Sequence, residues 1–118
     1  MSRKGLAYGK HCVCRGNEAT AVGAATALAD GDWTALAIRD LGVYIARGVP
    51  PSRLIAQACG RIGGLTGGWD GSLHMGVKEK RILGLVTHLG TMIPLARAEK
   101  TCAPPSSRKP KGLSGDSL

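Results

Sequence analysis

The chain contains no phenylalanine, and two tryptophans and two tyrosines make up its whole aromatic complement across 118 residues. Aromatic side chains carry much of the burial in a core, and alanine, the commonest apolar residue here, buries little area. A self-sufficient core is therefore not expected, and a chain that leans on partners fits better. No apolar run approaches the length of a transmembrane helix, and no charged, apolar and small-residue series opens the chain as a secretion signal would. Thiols held reduced in the cytoplasm are the matching expectation for Cys12, Cys14, Cys59 and Cys102. The length gives room for one small domain, and no internal repeat is present.

Acidic residues are also scarce, with 8 Asp and Glu against 16 Lys and Arg, for a net charge of +8. Such a balance raises nucleic acid or another anion as a partner. The basic residues are dispersed, however, and none alternate with aromatics as a single-strand binder requires. The dense patch Arg108-Lys109-Pro110-Lys111 lies in a segment that reads as a solvated tail. A zinc site is disfavoured: His11-Cys12-Val13-Cys14 has C-x-C spacing, and no second cysteine pair follows. The glycines at 67, 68 and 71 lack the preceding strand and the Lys-Ser/Thr of a phosphate-binding P-loop.

What is abundant is glycine, with 18 residues. Glycines punctuate the chain into helical pieces and loops. Asn17 is placed to cap a helix with Glu18 in its first turn, and an Ala-rich helix is expected from Asn17 to Ala29. Trp33 to Ala37 reads as an extended or irregular link. A second helix is expected from Arg39 to Arg47, ending at Gly48. A third follows Pro50-Pro51, from Ser52 to Cys59, with Leu54, Ile55 and Ala58 on one face. Gly60 to Gly71 reads as loop, and Ile82 to Val86 as a buried strand. A fourth helix should open at Thr87 or His88 and run to about Lys100. Residues 1–100 thus form one domain. Residues 101–118, with three Pro, four Ser and three basic residues, read as a disordered tail.

The run from Gly67 to Ala96 carries the most specific signal. Ser72-Leu73-His74-Met75-Gly76 is followed by a charged hinge, the apolar Ile82-Leu83-Gly84-Leu85-Val86, then Thr87-His88-Leu89-Gly90-Thr91 and Pro94-Leu95-Ala96. Upstream stand Gly16-Asn17-Glu18-Ala19 with Val22-Gly23, then Asp32-Trp33, Ile38-Arg39-Asp40 and Arg47-Gly48-Val49-Pro50. This order, over residues about 9 to 97, resembles the alpha subunit of the thiamine-diphosphate-dependent 2-oxo acid dehydrogenases of the pyruvate and branched-chain type. The resemblance implies an α/β fold: the N-terminal part of a thiamine-diphosphate-binding domain, mainly helical with few strands. It implies an oxidoreductase step in which a 2-oxo acid is decarboxylated on thiamine diphosphate and the acyl group passes to lipoamide. The implied partners are a beta subunit in a heterotetramer, a lipoyl-bearing acyltransferase and the 2-oxo acid.

Site residues follow from the same resemblance. Arg39 matches the arginine of a Tyr-Arg pair that approaches the cofactor diphosphate, with Ile38 replacing the tyrosine; an exposed helix-start arginine, or a partner for Asp40, is the alternative. Guanidinium suits phosphate because its planar fork donates in parallel. Thr87 and Leu89 match the segment whose main chain meets the aminopyrimidine ring, Leu89 being equally suited to core packing. His88 reads as a packed or capping histidine. His74 matches the histidine of the family's G-S-M-H-M loop, where a near-neutral pKa serves proton exchange; anchoring the loop is its alternative role. The family continues past P-L-A to a Gly-Asp-Gly motif and a downstream Asn that hold Mg²⁺. In this sequence Gly115-Asp116-Ser117 is a faint echo of that motif, so a truncated chain, inactive alone, is expected. Two rival readings are a small basic nucleic-acid-binding protein and a non-catalytic, frameshifted fragment.

Overall fold

The computed structural model describes residues 6–7, 12, 14–69, 74–84, 88 and 90–102. Among the described residues the helices are α1 (Glu18–Ala27), α2 (Leu41–Ala46), α3 (Pro51–Ala58) and α4 (Met92–Cys102), with a 3₁₀ turn at Lys78–Lys80. The regular structure of the described residues is thus mostly helical, and their β structure is limited to two isolated bridges. Among the described residues, no helix is long and apolar enough to cross a membrane.

The Ala-rich sequence of α1 favours helix because alanine loses no side-chain entropy there. Ala21 and Ala25, one turn apart, are its buried face. Their small size admits α2 closely: a Cβ on Gly42 of α2 would lie 3.3 Å from the Ala21 Cβ. Asn17 precedes α1 but does not cap it. Its amide NH₂ instead donates to the Asp40 carboxylate (3.1 Å) and the Arg39 carbonyl (3.4 Å). Glu18 takes up the helix entrance from the other side, accepting from the Gly16 N–H at 2.8 Å.

Helix α2 begins two residues later than Arg39. The Asp40 carboxylate folds back to accept the Ala37 N–H (2.8 Å), and the Asp40 N–H donates to the Ala37 carbonyl (3.2 Å). That turn over residues 37–40 takes Arg39 out of the helix. The helix ends as expected at Gly48, whose φ of +80° suits glycine. The Gly48 N–H reaches the Ile45 carbonyl and the Val49 N–H the Tyr44 carbonyl, 2.9 and 2.8 Å, the paired bonds of a Schellman cap. Gly60 closes α3 in the same way through Gln57 and Ala56. Helix α3 starts on Pro51, where a missing N–H costs nothing. Its inward face is Leu54 and Gln57, not the expected Leu54, Ile55 and Ala58; Ile55 is exposed and Ala58 half-buried.

The expected strand from Ile82 to Val86 is replaced, over its described part, by single bridges. Ile82 is 1 % exposed and pairs antiparallel with Val77 (2.9 and 3.0 Å) and parallel with Thr34. Neither partner continues: the 3₁₀ turn follows Val77 at once, and an irregular link follows Thr34. Residues 85–87 lie outside the described residues. Helix α4 begins at Met92 instead of Thr87 or His88, because Gly90 adopts φ +87° and cannot be helical. Pro94 falls in its first turn, where N–H groups have no helical partner anyway. The helix extends to Cys102, two residues into the expected tail; residues 103–118 lie outside the described set.

The core comprises Ala21, Ala25, Leu36, Val43, Tyr44, Val49, Leu54, Met75, Val77 and Ile82. Large apolar side chains remain outside it, with Ile62 91 % and Trp69 81 % exposed, and Ile93, Ile45 and Leu41 also at the surface.

Candidate functional site

A cavity of about 310 Å³ opens between the link at residues 35–40 and the start of α4. Leu36, Ile38 and Asp40 form one wall; His88, Gly90 and Met92 form the other. The sequence explains both walls. Thr34 is pinned to the hairpin arm through its N–H and hydroxyl to the Arg81 carbonyl (2.8 and 3.1 Å), and its carbonyl accepts from the Leu83 N–H (2.9 Å). The link therefore leaves Thr34 extended, buries Leu36, and turns sharply at 37–40. On the other side, Gly90 permits the chain to reverse before Met92 drops into the interior.

Most of this lining is apolar. Its one carboxylate, Asp40, is occupied by the Asn17 amide and the Ala37 N–H. The cavity is thus suited to a flat, weakly polar ring; a dry cavity of about 150 Å³ is known to hold benzene. Arg39 sits at the tip of the 37–40 turn, between two lining residues, with its side chain exposed. Asp40 is not its partner. Thr87 and Leu89 lie outside the described residues, but they flank His88, which is exposed on the cavity rim. The cavity is thus lined by Ile38 and Asp40, the sequence neighbours of Arg39, and by His88 and Gly90, while Arg39 itself is not among its lining residues.

His74 is exposed and stands on the arm that precedes the hairpin. That arm runs against the one leading toward Thr87: a Cβ on Gly76 would lie 3.0 Å from the Gly84 nitrogen. Behind it, the buried Tyr44 hydroxyl donates to the Met75 carbonyl at 2.7 Å. Burial, followed by the nearby Asp40 charge, pushes the Tyr44 pKa up to about 12. Tyr44 went unnoticed in the sequence; a polar ring between apolar helix residues, Val43 and Ile45, was its only signal.

A second cavity, of about 500 Å³, lies at the ends of α1 and α2 beside Asp30, Arg47, Glu79 and Lys80. None of the nominated residues lines it. Arg47 is already consumed there, donating to the carbonyls of Asp32 (2.8 Å), Ala29 (3.2 Å) and Lys80 (3.3 Å). Among the described residues, no three His, Cys, Asp or Glu side chains are grouped to hold a metal ion. The free thiols of Cys12 and Cys14 gather no further ligand among them.

Known proteins show the same pattern as this chain. The family model for the dehydrogenase E1 component matches residues 2–109. The pyruvate dehydrogenase E1 component subunit alpha of Rhizobium meliloti is 39% identical over 87 residues, 69% of this chain and 25% of that protein. The 3-methyl-2-oxobutanoate dehydrogenase subunit alpha of Mycobacterium tuberculosis is 42% identical over 66 residues, covering 55% of this chain and 16% of the relative. The mitochondrial 2-oxoisovalerate dehydrogenase subunit alpha of Bos taurus is 35% identical over 81 residues, 69% of this chain and 18% of that protein. The chain spans about a quarter of the length of the first of these relatives and less of the others. With nearly all of its residues inside the family match, the chain belongs to the dehydrogenase E1 component family.

Proposed function

We propose that this chain supplies part of the alpha-subunit side of a thiamine-diphosphate site in a 2-oxo acid dehydrogenase, within an α/β cofactor-binding fold. The observation that carries this reading is the shared cavity: Ile38 and Asp40, on either side of Arg39, face His88 and Gly90, on either side of Leu89. The apolar lining fits the ring end of the cofactor. Among the described residues, no three His, Cys, Asp or Glu side chains are grouped to hold the Mg²⁺ that would accompany the diphosphate. Mg²⁺ normally takes one or two carboxylates besides phosphate.

When bound, thiamine diphosphate supplies the carbanion chemistry that releases CO₂ from a 2-oxo acid. The chain's own residues bind and orient. Arg39, exposed at its turn, donates to diphosphate oxygens. The main chain at Thr87 and Leu89, the sequence neighbours of His88, would hold the aminopyrimidine ring. His74 holds or exchanges a proton at the substrate oxygens. The exposed Ile62, Trp69, Ile45 and Ile93 are surface for a beta subunit and for the rest of an alpha subunit. A cytoplasmic assembly with a lipoyl-bearing acyltransferase completes the reading. Because the described residues group no three metal-ligating side chains, the isolated chain is expected not to hold the cofactor.

The test is calorimetric titration with thiamine diphosphate and Mg²⁺. The isolated chain should show no saturable binding. The same chain joined to the metal-binding segment of an alpha-subunit relative, and paired with that relative's beta subunit, should bind and decarboxylate a 2-oxo acid. A folded, assembled chimera that takes up no cofactor would overturn the reading.

A further inference from the structure

The arm that carries His74 is tied to the rest of the fold on both sides of Gly76. Downstream, the hairpin is closed by reciprocal Val77–Ile82 bonds (2.9 and 3.0 Å), and its outgoing strand is gripped by Thr34 through three hydrogen bonds. On the incoming side, next to His74, the Tyr44 hydroxyl on α2 donates to the Met75 carbonyl. Both residues are buried, at 3 % and 2 % exposure, so water cannot replace that bond. Gly76 then passes against Gly84 with no room for a side chain, leaving the backbone position at 75 to fix the direction of the arm.

We propose that Tyr44 is the positioning residue for His74: its hydroxyl, held on α2, fixes the Met75 carbonyl and thereby the backbone from which the neighbouring histidine projects. The significance for catalysis rests on the reading of His74 as a proton-exchanging side chain. The geometry itself does not. Tyr44 lies one helical turn from Asp40 at the start of α2. One short helix therefore spaces the Arg39 turn against the His74 arm, and a shift of α2 moves both. The hydroxyl stays protonated throughout the physiological range, since its pKa is raised, and the bond is a constant and not a pH switch.

The test is Tyr44→Phe in the 118-residue chain, read by NMR. Amide exchange at Val77 and Ile82 should rise about tenfold, the backbone order parameter of His74 should fall, and its ring resonances should move. Exchange at Ala21 and Ala25 in α1 and the resonances of His88 should be unchanged within twofold and within error. A uniform rise in exchange across α1 and the hairpin would reduce Tyr44 to a general stabiliser and overturn the proposal. So would an unmoved His74. If the variant does not fold, the wild-type chain decides: a resolved, slowly exchanging Tyr44 hydroxyl proton with a cross-peak to Met75 Hα supports the bond, and its absence refutes it. None of these readouts uses cofactor or turnover, so failure of the coupling and failure of the proposed function are separately visible.

Discussion

Gln57 fills the space that a side chain on residue 64 would need. A Cβ on Gly64 would lie 2.7 Å from the Gln57 Oε1 and 2.8 Å from its Cα. Gln57 is 1 % exposed and uses its whole amide: Oε1 accepts from the Thr66 N–H (2.9 Å), and Nε2 donates to the Thr66 hydroxyl (2.8 Å) and the Trp69 carbonyl (3.3 Å). The Thr66 hydroxyl also donates to the Trp69 carbonyl. A loop of glycines is thereby fastened to α3.

Gly64→Ala should accordingly destabilise the chain by about 1–3 kcal/mol, the usual penalty of overpacking. The cause is steric, because the clash is partly with backbone that cannot rotate away. Urea denaturation gives the number. Gly67→Ala differs in mechanism: open space surrounds that position, and only its φ of +67° opposes a side chain. A smaller loss, of about 1 kcal/mol, is expected there. Equal losses at both sites would remove Gln57 as the cause.

How legible this was depended on how local the cause is. The helices were readable because their signals are in the chain itself: the alanines of α1, Pro51 at the start of α3, and Gly48 and Gly60 at two ends. Ile82 was misread as the start of a strand because its partners, Thr34 and Val77, are set by tertiary pairing that periodicity does not encode. Gln57 sat on the inward face of α3 where Ile55 was expected, since only the folded loop supplies its partners. The candidate site was readable through the order of its motifs and their likeness to a family, not through chemistry. Arg39 and His74 are exposed, whereas the residues that hold the neighbouring backbone, Asn17, Asp40 and Tyr44, are defined by contacts distant in sequence.

Arg47 should tolerate no substitution by lysine. Its fork reaches three carbonyls on two separate segments, the 29–32 turn and Lys80. A lysine keeps the charge but loses the planar arrangement. Arg47→Lys should cost about 1–3 kcal/mol, through carbonyls left without donors. The loss should be accompanied by faster amide exchange at Thr34 and Leu83, whose hydrogen bonds join the link to the hairpin. Retained stability with unchanged exchange would show that the clamp is not needed.

Tyr44 sets an alkaline limit. Its folded pKa of about 12 exceeds the ordinary 10 because burial, then Asp40, opposes ionisation. The unfolded chain therefore loses the Tyr44 proton first as pH rises. The Tyr44 contribution is complete below pH 10 and declines between pH 10 and 12, by roughly 1 kcal/mol per pH unit. The direct measurement compares wild type with Tyr44→Phe from pH 9 to 11. The wild-type advantage should shrink above pH 10, since phenylalanine has no proton to lose. A constant difference would mean that the hydroxyl titrates alike in both states.

Arg39 separates binding from folding. Its side chain is exposed, and only its carbonyl takes part in the turn, accepting from the Asn17 amide. Arg39→Ala should therefore leave the urea midpoint of the isolated chain unchanged within about 0.5 kcal/mol, as for other exposed positions away from special features. In the chimera completed with a metal-binding segment and beta subunit, the same substitution should weaken thiamine diphosphate binding roughly ten- to a hundredfold, the worth of a charge-assisted contact to phosphate. Arg39→Lys should recover part of the affinity by keeping the charge while losing the parallel donors. Loss of stability in the isolated chain would identify Arg39 as a structural residue of the 37–40 turn. Intact stability with an unaltered cofactor titration would instead remove it from the site and leave the cavity without its phosphate-facing cation.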